Sequence, residues 1–238
     1  MEIITRRLAL MIAALFATSL HAQQQAISAD RPGFADGPGI VGARTAQIEV
    51  GVGVEEDDTS SINLPALVRI GVTGALELRI ESDVLGWSHG HADLAPVSVG
   101  FKARLMNAPM PISLLASVQP PSGEGSLRSN DVESEIRLVG DVDLGHDFSI
   151  TPNVGIRLIE SDTPAGVVAL TLERELENVS PFIDVQVSVQ HGRTSAVVDG
   201  GAAWIVGTET QWDLSGGLRI NGDEYPEWFV SAGISRRF

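Results

Sequence analysis

The sequence predicts an all-β fold: a transmembrane antiparallel β-barrel of about 12 strands, wound as an up-and-down meander. Three observations predict it. Apolar and polar residues alternate with period two along most of the chain, short and long connections take turns, and the polar face of the strands carries charges that lipid would not accept. The chain has 238 residues, 43% hydrophobic and 20% charged, with a formal net charge of -15 and no cysteine. So much apolar content excludes a disordered chain, and the acid excess argues against nucleic-acid binding, which needs clustered Lys and Arg to neutralise phosphates. Without cysteine there is no disulfide framework, zinc ribbon or thiol nucleophile.

Residues 1–22, MEIITRRLALMIAALFATSLHA, have the build of a secretory signal peptide: Arg6 and Arg7, an apolar run, then small residues ending at Ala22. The run is too short to span a bilayer of about 30 Å as a helix, and no later run approaches the roughly 18 apolar residues a membrane helix needs. Residues 23–43 are rich in Gly and Pro and do not alternate, so they are no first strand. Two readings stand for this segment. Asp30, Arg31 and Asp36 tuck it into the barrel as a plug among opposite charges, or it is a periplasmic tether.

From residue 44 to 238 the alternation is sustained. Ala46, Ile48, Val50, Val52 and Val54 share one face while Gln47 and Glu49 share the other. The pattern recurs at 64–70, 76–81, 97–105 and 112–119, and at 132–143 as a sixth strand. The second half repeats it at 148–158, 168–173, 183–190, 198–206, 212–220 and 227–238. Connections at 73–74, 107–108, 145–146 and 207–208 are tight, whereas those at 55–61, 85–92, 120–130 and 221–226 are longer and polar. The connection at 191–194 is a short exception and that at 175–180 a longish one. A meander with one plain and one decorated rim explains this order.

Geometry decides which face meets what. About eight strands already enclose as much as side chains can fill, so twelve strands with apolar residues inward would leave an apolar hole. With apolar residues outward, strands of about ten residues match the hydrocarbon thickness and closure leaves no unpaired edge in lipid. The charged face then lines the lumen: Glu49, Arg69, Glu77, Arg79, Glu81, Lys102, Arg104, Glu133, Glu135, Arg137, Asp141, Arg157, Asp184, Asp199, Asp213 and Arg219. Such residues pair across strands to hold register, or set a field for passing solutes. Trp204, Trp212, Trp228, Phe148 and Phe238 fall on apolar faces near strand ends, where aromatic girdles belong. The competing reading of those rings is a soluble two-sheet sandwich.

Other chemistry is weakly signalled. His89, His91 and Asp93 have the ligand types for zinc or copper, but they lie in one external loop with no second cluster, so neither metal nor cofactor is expected. His146 and His191 fall at opposite rims, and Ser126, Ser129 and Ser195 lack a nucleophile-elbow motif, so no enzyme is expected. No Gly-rich phosphate loop supports nucleotide-driven transport.

Several segments carry a family resemblance. ADRPGFADGPGIVGARTAQIEVGVGV (29–54), INLPALVRIGVTGALELRI (62–80), APVSVGFKARLM (95–106), LLASVQPPSGEG (114–125), DGGAAWIV (199–206) and EWFVSAGISRRF (227–238) resemble the outer-membrane transporter family labelled phenol-degradation MetA-pathway proteins. The resemblance implies a membrane barrel with a transport role, linked to small aromatic compounds, and no catalytic residues. The final Phe238 is similar to the C-terminal signal of bacterial outer-membrane barrels, although Arg236 stands where that pattern has an apolar residue. The expected partners are outer-membrane lipid, the barrel-assembly machinery through Phe238, and a small-molecule solute. The expected function is passive passage of small solutes, small aromatic or hydrophobic compounds among them, across the outer membrane of a Gram-negative envelope. An outer-membrane-embedded hydrolase and a closed structural barrel stand as alternatives.

Overall fold

The computed structural model describes residues 26–88 and 90–238; the signal peptide expected at 1–22 lies outside the described residues. Sixteen strands follow in chain order: β1 (Ala46–Glu56), β2 (Ser60–Asn63), β3 (Ala66–Thr73), β4 (Leu76–Ser82), β5 (Leu85–Ser88), β6 (His91–Leu94), β7 (Ser98–Met106), β8 (Ile112–Gln119), β9 (Glu133–Gly140), β10 (Val142–Gly145), β11 (Phe148–Ile159), β12 (Ala165–Arg174), β13 (Val179–Gln190), β14 (Arg193–Val206), β15 (Thr210–Asn221) and β16 (Trp228–Arg237). Twelve of them form the wall, in the order β1, β3, β4, β7, β8, β9, β11, β12, β13, β14, β15, β16. The wall closes where β16 returns antiparallel to β1, from Gln47 opposite Arg237 to Glu56 opposite Trp228. Closure removes the free sheet edge that could not exist in lipid.

The alternation resolves as an inside and an outside. In β1, Gln47 and Glu49 are 1% and 0% exposed, while Ile48 and Val50 between them are 39% and 38% exposed. The same split runs round the wall: Leu78, Val99, Ile136, Val154, Val168, Ile183 and Leu214 face outward, and Glu77, Lys102, Asn153, Asp184 and Asp213 face inward. A continuous apolar band of this kind is stable only against an apolar solvent. Trp204 and Trp212 stand opposite each other across β14 and β15 near the short-turn rim, and Trp228 lies at the other rim. Phe148 lies under the guanidinium of Arg174, 5.2 Å from its ring centre. Arg236 does occupy an outward position, but at the rim, where it bonds the Thr210 side chain and can reach the headgroup level.

Two local expectations are corrected. The strand expected at 132–143 is broken, because pairing of β9 with β11 ends with Val139 opposite Asn153. The next residue of β11 is Pro152, which has no N–H to donate to the ladder with β9, while the Asp141 N–H is turned to the other neighbour, the Pro111 carbonyl before β8, at 3.2 Å. Its continuation, β10, pairs with β11 beyond the break. Likewise, the connections expected at 55–61 and 85–92 contain β2, β5 and β6, which extend the wall above β1. Four-residue strands are too short to show a period. The short connection on the long-loop rim is a two-residue turn, His191 and Gly192, with φ of 52° and 70°. Both residues sit in the left-handed region, whose twist matches a tight hairpin.

Candidate functional site

Residues 26–44 contain no regular strand, and they run inside the barrel. The segment rises from the short-turn rim, where Ile27 donates its N–H to the Thr208 carbonyl at 2.9 Å, and comes back to it, where Arg44 donates to the Gly71 carbonyl at 2.9 Å. Gly71 allows that return, since a side chain there would strike the Gly42 carbonyl. Between these ends the chain crosses the lumen.

Charge decides how it crosses. The inward residues of β3, β4, β7 and β9 include Arg69, Arg79, Lys102 and Arg137, while those of β13, β14 and β15 include Asp184, Asp199 and Asp213. The segment presents acids to the first wall and a base to the second. Lys102 Nζ donates to both oxygens of Asp30 at 2.9 and 2.7 Å and to the Gly37 carbonyl at 2.8 Å. Arg79 pairs with Asp30, and donates to Asp36 at 2.9 Å. Arg69 donates to Glu77 at 2.8 Å and Glu49 at 3.2 Å, and to the carbonyls of Ser28 and Gly39 at 2.9 and 2.8 Å. Arg137 pairs with Glu135 and lies 3.5 Å from Asp36.

On the far side, Arg31 donates to Asp213 at 3.1 Å and to Ser231 at 2.9 Å. Its guanidinium lies in a slot where Gly51 faces Gly233 across β1 and β16, and a side chain on either glycine would strike it. The N–H groups of Phe34 and Ala35 donate to one oxygen of Asp184 at 2.7 and 3.0 Å. Asn153 clasps Asp36 by two bonds of 3.0 Å, from the Asp36 N–H to its Oδ1 and from its Nδ2 to the Asp36 carbonyl. Buried charges are costly unless paired and hydrogen-bonded, and here segment and wall satisfy each other. Burial alone would raise the Asp30 carboxyl, but Arg69, Lys102 and Arg79 outweigh it and hold the group well below the ordinary carboxylate range.

Two cavities flank the segment. One of about 450 Å³ lies on its long-loop side, floored by Asp30, Arg31, Phe34 and Asp36 and walled by Glu81, Asp83, Glu135, Arg137, Arg157 and Gln186. A second, of about 220 Å³, is walled by Pro32, Phe34, Pro226 and Phe229, with Asp199 and Ser215 at its edge. Phe34 meets Phe229 edge-on with ring centres 5.7 Å apart, and Tyr225, which descends from the 222–227 connection, at 6.1 Å.

The sixteen residues expected in the lumen divide into three groups. Glu49, Arg69, Glu77, Arg79, Lys102, Asp184, Asp199 and Asp213 are buried inside the barrel. Glu81, Glu133, Glu135, Arg137 and Arg157 border the larger cavity, with Arg157 paired to Glu224. Arg104, Asp141 and Arg219 lie near the rims: Arg104 donates to the Gly74 carbonyl at 3.2 Å, Asp141 sits at the break after β9, and Arg219 pairs with Asp57 and Glu227. Sequence reasoning passed over the uncharged partners of the segment. Gln47 donates to the Ser28 carbonyl at 3.0 Å, Ser113 to Pro38 at 2.7 Å and Gln211 to Arg31 at 2.7 Å. Their inward position in the alternation was the signal that could have found them.

The other candidates do not converge. Asp93 accepts from the N–H and hydroxyl of Ser126, both at 2.9 Å, and His89 lies outside the described residues. Among the described residues no group of three His, Cys, Asp or Glu could hold a metal ion. His191 bonds Asp162 at the long-loop rim, and His146 lies in the turn between β10 and β11 at the other.

Comparison with known proteins adds the fold's relatives. An outer membrane channel from Pseudomonas putida F1 superposes with a TM-score of 0.68 at 11% identity, over 93% of this chain and 100% of that one. The NanC porin gives a TM-score of 0.61 at 9% identity, over 79% of this chain and 98% of that one. The KdgM porin, solved with disordered oligogalacturonate, gives 0.59 at 11% identity, over 80% and 99%. No curated protein matches the chain. The shared architecture is that of outer-membrane β-barrels, and the family model described as "MetA-pathway of phenol degradation" matches residues 29–238, so this chain belongs to that family.

Proposed function

We propose that the protein is an outer-membrane channel for passive passage of small solutes, with residues 26–44 as a plug that closes the lumen at rest. The observation that carries this reading is the segment's ion pairing, Asp30 and Asp36 to one wall and Arg31 to the other, beneath a cavity of about 450 Å³. Charged walls around a small opening need no energy source to pass a solute. Export through the 1–22 signal and assembly through Phe238 complete the proposed route to the membrane. Within an otherwise charged lumen, the pocket walled by Pro32, Phe34, Pro226 and Phe229 supports small aromatic compounds as solutes. Among the described residues, no observation favours a second reading.

The test is planar-bilayer recording and liposome swelling with wild type and a variant lacking residues 23–41. The deletion is expected to raise single-channel conductance and to admit small sugars, with weak cation preference from the acid excess. Unchanged conductance and no swelling in the deletion variant would leave a closed structural barrel in its place.

A further inference from the structure

We propose that the pocket beside the plug binds organic ammonium compounds, small molecules that join an apolar body to a protonated amine, with Asp199 as the counter-charge. Asp199 is 4% exposed, and its Oδ1 has no hydrogen-bond partner. Directly opposite on β13 stands Asp184, 1% exposed, whose Oδ2 takes the Phe34 and Ala35 amides while its Oδ1 also has no partner. Like charges facing each other across a sheet destabilise it, and a buried acceptor without a donor adds a desolvation cost. A cation between barrel wall and plug would answer both.

The protein itself supplies little such charge here. Neither β13 nor β14 carries an inward Lys or Arg: Arg193 is exposed at the start of β14, and Arg219 of β15 turns to the rim acids Asp57 and Glu227. Arg31 borders the pocket, but its Nη2 is held by Asp213 and Ser231 in the glycine slot. Glu55 adds a further acid to the lining.

The pocket's shape selects the kind of cation. A hard metal ion asks for six or more oxygens, whereas beside Asp199, Ser215 and Glu55 this pocket presents the apolar side chains of Pro32, Phe34, Pro226 and Phe229. Gly217 faces Asp199 across β14 and β15, and a side chain there would strike the Phe229 ring, so the ring lies over Gly217 and lines the same pocket as Asp199. An ammonium group has N–H donors for Asp199 and Ser215 and is attracted to aromatic faces. A volume of about 220 Å³ is below the roughly 300–1,000 Å³ of drug-sized sites, which fits a body of one ring.

The inference rests on the channel reading for how a solute reaches the lumen, though binding can be measured without it. The full chain in detergent micelles would be titrated calorimetrically with 2-phenylethylammonium chloride and with uncharged 2-phenylethanol, at fixed salt. Wild type is expected to bind the amine about tenfold more tightly than the alcohol, as one charge-assisted hydrogen bond supplies. Asp199→Asn removes that preference and leaves the alcohol unchanged, whereas Phe229→Leu weakens both. Equal affinity in wild type, an amine preference that survives in Asp199→Asn, or Asp199-dependent binding of sodium or calcium with none of the amine would overturn the proposal. No amine preference in wild type, beside a deletion variant that conducts, refutes the site alone. Amine preference in a barrel that never conducts keeps the site and refutes the channel.

Discussion

Replacing Asp30 by Asn probes the plug at its most heavily paired residue. The carboxylate takes two hydrogen bonds from Lys102, lies 3.4 Å from Arg69 Nη1 and pairs with Arg79, and its side chain is 6% exposed. Without that charge the Lys102 ammonium, 0% exposed, keeps only Asp36 at 3.9 Å as an acidic partner from the segment. Removing one partner of a buried ion pair costs about 3–5 kcal/mol, and the amide oxygen of Asn can still accept one bond, so about 3 kcal/mol is the expected loss of docking energy. At about 1.4 kcal/mol per tenfold, the undocked fraction rises roughly a hundredfold. Single-channel recording should show brief steps to the conductance of the variant lacking residues 23–41, roughly a hundredfold more often than in wild type. The pH response has a defined sign. The docked carboxyl titrates well below its ordinary value, so its contribution is complete above that value and fades only as pH falls beneath it. The Asp30 contribution to wild-type closure should therefore be constant from pH 7 to about 5 and weaken below about 4, where the ordinary carboxylate range begins to matter. A variant as quiet as wild type, beside a deletion variant that conducts, would refute this account of closure.

Two further perturbations test other parts of the structure. Gly51→Leu fills the slot that takes the Arg31 guanidinium and should raise open probability without changing the heat-resistant folded band on gels; unaltered gating would mean that the slot is not used. Leu170→Arg places a base on the outward face near the middle of β12 and should destabilise the folded barrel in lipid vesicles by about 2–4 kcal/mol, measured by urea titration. An effect near zero would mean that this face does not meet acyl chains.

Strand alternation was legible where a wall strand puts apolar residues on one face and polar ones on the other: in β1, Ile48 and Val50 point out and Gln47 and Glu49 point in. The constraint is local, so one sequence suffices to expose it. The break at Asp141 was not legible, because it depends on Pro152 of the neighbouring strand, and only pairing reveals which residue the missing N–H would have served. The hairpin of β5 and β6 escaped for a different reason: four residues hold too few periods to distinguish from a loop. At the site, charged residues were visible one by one, but the placing of the inward bases Arg69, Arg79, Lys102 and Arg137, among acids, on β3, β4, β7 and β9, opposite Asp184, Asp199 and Asp213 on β13, β14 and β15, appears only once the meander is closed. Backbone donors such as the Phe34 and Ala35 amides carry no sequence signal at all.

Lys102 shows why the plug belongs to the barrel's own energetics rather than being an addition to it. Its hydrogen-bond partners Asp30 and Gly37 both come from the segment, whereas Arg69 next to it keeps Glu49 and Glu77 of the wall. Withdrawing the segment would leave Arg69 neutralised but Lys102 dependent on water, so an open lumen must be a wet one. A dry vacancy would strand a buried ammonium at a cost of several kcal/mol. On the proposed channel reading, opening therefore couples release of the segment to hydration of the β4–β7 wall. On that reading, water or a solute with a hydrogen-bond-accepting or anionic group can stabilise the open state at Lys102, whereas an apolar group entering alone cannot.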